Sequence, residues 1–194
     1  METLFTYLSL GWEHIVSPDA LDHQLFLLAL VLPFSIREYK KILLLITAFT
    51  IGHSLTLALC SSGQIRLSSS YVEFLIPVSI FITALLQWWR LENATPFSSM
   101  FSLAGLFGLL HGMGFANTLK MMLGKEDSLL LPLAGFNLGV ELGQIALLML
   151  ILGFRFILSK GLPKAESLIS KAILVMVLLG SFWMIWQRMP SGPL

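Results

Sequence analysis

Long apolar segments occupy most of this chain and are the feature that most restricts its fold. Windows of roughly 20 apolar residues, the length that crosses a bilayer as an α-helix, recur between residues 21 and 186. Only 12% of the 194 residues are charged, against roughly 25% in an ordinary soluble domain. This pattern excludes a water-soluble globule. We predict an all-α, polytopic integral membrane bundle.

Six segments are predicted to span the membrane. They are Leu21 to Phe34, Lys41 to Cys60, Tyr71 to Trp89, Phe97 to Lys120, Leu129 to Phe156 and Leu168 to Trp186. The connections between them are short and rich in Gly, Pro, Asn and charged residues. We therefore expect a single membrane domain over residues 1–194, with a bundle of six transmembrane helices over residues 20–188.

Residues 1–19 precede these segments and contain no Lys or Arg. They lack the basic region of a secretory signal peptide, so we expect them to stay on the mature protein. Apolar residues recur at helical spacing, at Leu4, Phe5, Leu8, Trp12 and Ile15. This stripe predicts a short amphipathic or re-entrant helix in an outer-surface segment, and it also fits packing against the bundle.

The basic residues predict the orientation of the bundle. One side holds eight of them and the other holds four. The first group is Arg37, Lys40, Lys41, Arg90, Arg155, Lys160, Lys164 and Lys171, and the second is Arg66, Lys120, Lys125 and Arg188. Because positive charge accumulates in cytoplasmic loops, both termini are expected outside.

A small set of ionisable residues lies in or beside the spanning segments. Each one costs about 2.5–3.5 kcal/mol at mid-bilayer, so each needs a partner, a cavity or a function. The set comprises His14, Asp22, His23, His53, Glu73, His111 and Glu141, and it includes all four histidines of the chain. In the predicted topology these side chains lie toward the outer end of the bundle, which predicts one polar cluster.

Helical spacing separates a polar face from a packing face on the fifth segment. Asn137, Glu141 and Gln144 share one face, while glycines at four-residue spacing from Gly135 to Gly143 form a ridge on roughly the opposite face. We expect the polar face to serve chemistry and the glycine face to pack against another helix.

Similar spacing surrounds two of the histidines. Thr50 and other hydroxyl residues flank His53, and we expect them to fix its tautomer. Gly108 and Gly112 flank His111, which allows a neighbouring backbone to approach closely.

Imidazole nitrogens and carboxylate oxygens without a thiolate suit Zn, Ni or Co. The single cysteine, Cys60, excludes an internal disulfide and a thiolate cage. Other interpretations stay open, because membrane histidines also serve as interhelical hydrogen-bonding groups, Asp22 can cap a helix, and Glu73 can be solvated. With a net charge of +1 and isolated basic residues, nothing indicates nucleic-acid binding. The expected partners are a metal ion and membrane lipid.

Several motifs resemble the HupE/UreJ family of bacterial membrane proteins. They are residues 11–15 (GWEHI), 22–26 (DHQLF), 47–56 (TAFTIGHSLT), 107–116 (FGLLHGMGFA) and 136–144 (FNLGVELGQ). The resemblance implies a multi-pass protein of the bacterial inner membrane, with a hydrogenase or urease maturation system as partner and a link to nickel or cobalt uptake. The family's first-helix motif carries over to His14, Asp22 and His23.

We therefore predict a membrane metal-binding protein with an outward-facing site. Its function would be that of a divalent transition-metal permease, for nickel, cobalt or zinc, or of a metal-handling accessory protein. The predicted ligands are His23, His53, His111 and Glu141, and the entry or supporting residues are His14, Asp22, Glu73, Asn137, Thr50 and Gln144.

Two alternatives belong to other classes. One is an intramembrane zinc-dependent hydrolase for a lipid-soluble substrate, with Glu141 or Asp22 as general base. The other is a hydrogen-bonded network with a structural role only.

Overall fold

The computed structural model describes residues 2–65, 68–93, 96–123, 128–162 and 165–190, and every regular element within those ranges is helical. A 3-10 turn, Ile36–Glu38, precedes the third α-helix. The α-helices are α1 (Glu2–Val16), α2 (Leu21–Val31), α3 (Tyr39–Ser61), α4 (Ser69–Glu92), α5 (Phe97–Leu123), α6 (Leu130–Gly161) and α7 (Glu166–Gln187). The predicted all-α membrane fold is confirmed.

Five helices, α3 to α7, are long and apolar enough to cross a membrane. They correspond to the second to sixth predicted segments. The segment predicted from Leu21 forms α2, which has only 11 residues and a length of about 16 Å at 1.5 Å per residue. Since α2 alone is too short to span a bilayer, the predicted count of six spans is approximate.

The N-terminal helix α1 packs along the first half of α6 and runs parallel to it. A methyl group added at Gly135 would meet Leu4, and one added at Gly143 would meet Ile15, so the contacts advance together along both helices. Ile15 is fully buried. The glycine ridge around Gly139 is therefore the packing face of α6, as the sequence predicted.

The helix α2 continues the path of α1 toward the far end of α6. Its last turn leads to Phe34, whose carbonyl accepts a hydrogen bond from Arg155, close to the end of α6. Arg155 also forms an ion pair of 3.0 Å with Glu166 at the start of α7. Together α1 and α2 thus extend along most of α6 as two half-helices in series.

The link between the half-helices is stabilised by side chains. The amide of Gln24 donates to the carbonyl of Ile15 at 3.2 Å and to that of Ser17 at 2.7 Å. The backbone N–H of Asp19 donates to the Ser17 hydroxyl at 3.1 Å. A break in a helix leaves some backbone groups without intrahelical hydrogen-bond partners, and at membrane depth such groups need other partners. The side chains of Gln24 and Ser17 provide them here.

Glycines also join α3 and α5, which run parallel. A Cβ added at Gly108 would overlap the backbone of Phe49, and one at Gly112 would overlap the carbonyl of His53. This close approach, expected from the glycines beside His111, brings that imidazole toward α3.

The bundle has a termini end and an Arg155 end. The termini end is marked by Tyr7, whose hydroxyl donates to the carbonyl of Met122, and by Arg188 just after α7. The Arg155 end is marked by Phe34 and Arg155. Which end faces outside stays a prediction. Three of the basic residues used for it lie outside the described residues: Arg66, Lys125 and Lys164.

Candidate metal centre

Four helices bring all four histidines of the chain into one cluster. His14 lies in the last turn of α1 and His23 in the first turn of α2, with ring centroids 4.6 Å apart. The ring of His53, on α3, is 5.9 Å from each of them. His111, on α5, is 5.1 Å from His23. His14, His23 and His53 offer ligand nitrogens that all lie within 4.8 Å of one another.

Five of the eight ring nitrogens in this histidine cluster are buried and have no partner among the described residues. They are Nε2 of His14, His23 and His111, and both nitrogens of His53. A buried polar atom without a hydrogen bond costs about 1–3 kcal/mol. Several such atoms aimed into one space fit a bound cation, which would take up their lone pairs.

His111 is held in the tautomer that a metal ligand needs. Its Nδ1 lies 2.8 Å from the carbonyl oxygen of Phe107. Because a carbonyl can only accept, Nδ1 carries the proton and Nε2 keeps a free lone pair. A hydrogen bond from the other ring nitrogen to a carbonyl is typical of metal-bound imidazoles.

Aromatic rings enclose the cluster. The ring of Phe115 is 4.1 Å from that of His14, and the ring of Phe136 is stacked on His53 at 6.3 Å. On the side of the Arg155 end, Phe26 and Phe49 pack against each other at 4.7 Å and form an apolar floor. This surrounding excludes water from the imidazoles on that side.

A cavity of about 290 Å³ leads from the histidines to the termini end, and Asp19, Asp22, Glu73 and Arg188 are among its lining residues. Arg188 forms two bonds with the Asp22 carboxylate, at 2.9 and 3.3 Å. Asp22 does not cap α2, because the N-cap is Ala20 and no side chain caps it. The carboxylates of Asp22 and Glu73 therefore line this cavity, and their role in metal entry stays a prediction.

The polar face of α6 contacts α3. Thr47 donates to Glu141 at 3.3 Å, and Thr50 donates to Gln144 at 2.9 Å. The Asn137 Oδ1 is buried without a partner among the described residues. Glu141 is outside the group of three histidines that are close enough to share a metal.

The expectation that hydroxyl groups fix the tautomer of His53 is wrong. Thr50 donates to Gln144 and to the carbonyl of Ile46, and Ser54 donates to the carbonyl of Thr50. A Ser or Thr hydroxyl in a helix readily donates to the backbone carbonyl one turn earlier, and it reaches another side chain of the same helix less easily. Both ring nitrogens of His53 are left for another ligand.

Two features of the site were not found from the sequence. His14 was assigned an entry or supporting role, yet its ring lies within the three-histidine group. Arg188 entered only the charge count, and no sequence signal indicates its pairing with Asp22. The Ser-Pro-Asp run at Ser17 does signal a helix break, and that break could have placed His14 beside His23.

Comparison with known proteins identifies the family of the chain. A protein-family model described as HupE / UreJ protein matches residues 1–187. No curated protein and no solved structure matches the chain. The family match covers all seven helices and all four histidines, so the earlier resemblance is confirmed and the chain belongs to the HupE/UreJ family.

Proposed function

We propose that the protein binds one divalent transition-metal ion between His14, His23, His53 and His111, and that it is a metal permease or a metal-handling accessory protein. The observation that carries the proposal is the convergence of all four histidines from four helices, with buried ring nitrogens that have no partner among the described residues. Imidazole ligands suit Ni, Co and Zn. The family's link with hydrogenase and urease maturation favours nickel or cobalt.

The imidazole count favours metal handling over hydrolysis. Catalytic zinc sites keep an open position beside three protein ligands. His111 is outside the group of three close histidines, but its ring centroid is 5.1 Å from that of His23 and its Nε2 is buried without a partner among the described residues. We propose that this imidazole moves in to take the fourth position. Asp22, one candidate for the general base, is paired with Arg188. The ion is thus better described as cargo than as a cofactor.

Transport requires a path from the site to the Arg155 end. In the structure that direction is apolar near Phe49, and further along it lies Gln87, which is fully buried. Its amide donates to the carbonyl of Leu30 at 2.8 Å, and its Oε1 has no partner among the described residues. We propose that α2 moves against α4 to release the ion past Gln87.

Metal content measures the site directly. Purified protein, stripped with a chelator, is dialysed against Ni, Co or Zn and analysed by mass spectrometry of the elements. We expect about one ion per chain, with large losses in His53→Ala and His23→Ala, because removing one ligand weakens a four-coordinate site strongly. The Glu141→Gln variant distinguishes a site made of imidazoles alone from a site that includes the Glu141 carboxylate. The variant retains the ion in the first case and loses the ion in the second. Wild-type metal content in both histidine variants would show that the coordination is wrong.

Transport is tested in liposomes that contain a metal-sensitive dye. We expect metal entry above that of protein-free vesicles, and Gln87→Leu should slow entry while metal binding stays unchanged. If the protein binds metal but none enters, the accessory role replaces the permease.

A further inference from the structure

A second cavity, of about 480 Å³, opens at the Arg155 end. It lies between the segment that follows α2, the end of α6 and the start of α7. Three candidate membrane spans end or begin around it, at Ile36, Gly161 and Glu166. By the length of these spans, the cavity is at the level where lipid headgroups meet the hydrocarbon layer.

The charges of this cavity leave an excess of cations. Its basic residues are Arg37, Arg155 and Lys160, and its acidic residues are Glu38 and Glu166. Both carboxylates are engaged. Glu38 binds Lys41 at 2.8 Å and the backbone N–H of Ser35 at 3.1 Å, while Glu166 binds Arg155 at 3.0 Å.

Two of the cations have no acidic partner. No ion pair is formed by Arg37 or Lys160 within the part of the chain that the structure describes. The ammonium of Lys160 is held 4.5 Å from the ring centre of Phe156, on the cavity wall. The Nε of Arg155 is also buried without a partner among the described residues. These donors surround a space that fits an anion.

The cavity also has an apolar wall. Ile36 and Phe156 each expose 46% of their surface, and Leu152 lies one turn of α6 further into the membrane. A volume of 480 Å³ is within the range of ~300–1,000 Å³ of small-molecule sites. Cationic groups above an apolar wall match an amphiphile whose charge is a phosphate and whose tail is hydrocarbon.

We infer that this cavity binds the phosphodiester headgroup of an anionic phospholipid, with Arg37 and Lys160 at the phosphate. Basic pockets between membrane helices recognise such headgroups through charge. A lipid held there would contact the segment after α2, α6 and α7 together. The inference does not depend on the metal centre, which lies toward the opposite end.

The experiment uses the full-length protein in nanodiscs of phosphatidylcholine, titrated with phosphatidylglycerol. Lipid that stays bound after transfer to the gas phase is counted by native mass spectrometry. We expect about one retained phosphatidylglycerol for wild type, and roughly tenfold weaker retention in the double variant Arg37→Gln with Lys160→Gln. Lys40→Gln is the matched control, because Lys40 is an exposed cation at the same end that does not line the cavity. It should behave as wild type.

Each other outcome overturns the inference. Equal retention in the double variant and wild type would show that these cations do not bind the headgroup. Equal retention of phosphatidylcholine and phosphatidylglycerol would exclude recognition of charge. Displacement of the lipid by millimolar inorganic phosphate would make a free anion the ligand. A loss of thermal stability in the double variant without added lipid would assign Arg37 and Lys160 a structural role instead.

Discussion

Substitution of Gly139 by alanine tests whether α1 is a packed part of the bundle. An added Cβ would overlap the carbonyl oxygen of Leu8 and lie 2.8 Å from the backbone nitrogen of Trp12. Backbone atoms cannot rotate away as a side chain can. Ordinary contact begins at 3.4 Å, so relief of the overlap with the Leu8 oxygen requires α1 to retreat by roughly 1 Å or more. Overpacking of this kind costs about 1–3 kcal/mol of stability.

The same displacement should weaken metal binding. His14 follows Trp12 by two residues on α1, so a shift of the helix moves one imidazole away from the other three. We expect a lower unfolding temperature and a metal affinity reduced about tenfold or more, the effect seen when support for a ligand is lost. Thermal unfolding in detergent and equilibrium dialysis with Ni measure the two quantities on one preparation.

Gly153→Ala is the matched control, since it makes the same chemical change on the same helix. A Cβ at Gly153 meets nothing within 4 Å among the described residues, so neither quantity should fall. If Gly139→Ala and Gly153→Ala gave the same unfolding temperature and the same metal affinity, α1 would not pack as the structure has it. The outer-surface helix, which the sequence left open, would then be the better description.

Two further predictions concern the entrance and the helix break. Arg188→Gln removes the cation that is paired with Asp22 at the cavity entrance. Because a positive charge repels an incoming cation, we expect the rate of metal association, measured by stopped-flow, to increase a few-fold at low salt. The increase should be lost at high salt. Gln24→Leu removes the side-chain donor to the carbonyls of Ile15 and Ser17, and only the Ser17 carbonyl keeps a backbone donor, the N–H of Ala20. We expect a loss of about 1–3 kcal/mol from the Ile15 carbonyl, measured as a lower unfolding temperature. An unchanged temperature would mean that water replaces the Gln24 amide.

The long spans were predictable because their cause is local. A helix that crosses a bilayer needs about 20 apolar residues and satisfies its own backbone groups, whatever its neighbours are. The segments from Lys41 onward therefore agree with α3 to α7. The position of α1 was not predictable in this way. Its apolar stripe does not report its packing: Ile15 is fully buried, whereas Phe5 is 65% exposed. The partner surface, the glycine ridge from Gly135, lies far away in the sequence.

Membership of the histidine cluster was predictable for a similar reason. Ionisable groups in a membrane need partners, and few such groups were present. Roles within the cluster were not predictable, because they depend on how each helix is rotated and where it is broken. Glu141 contacts Thr47, while His14 is among the three close imidazoles. A rotation of a few tens of degrees about the axis of α6 would change the partner of Glu141, and sequence spacing does not fix that angle.

The break between α1 and α2 is what makes the histidine cluster geometrically feasible. In an uninterrupted helix, His14 and His23 would be nine residues, or about 13 Å, apart along the axis. Their rings are 4.6 Å apart, which only a turn between them allows. The Gln24 amide holds that turn by two hydrogen bonds to Ile15 and Ser17. The turn also lines the entrance cavity through Ser17. A small change in the angle between the half-helices would therefore alter both the histidine spacing and the access route. This makes the break the natural point at which metal entry and metal binding are coupled.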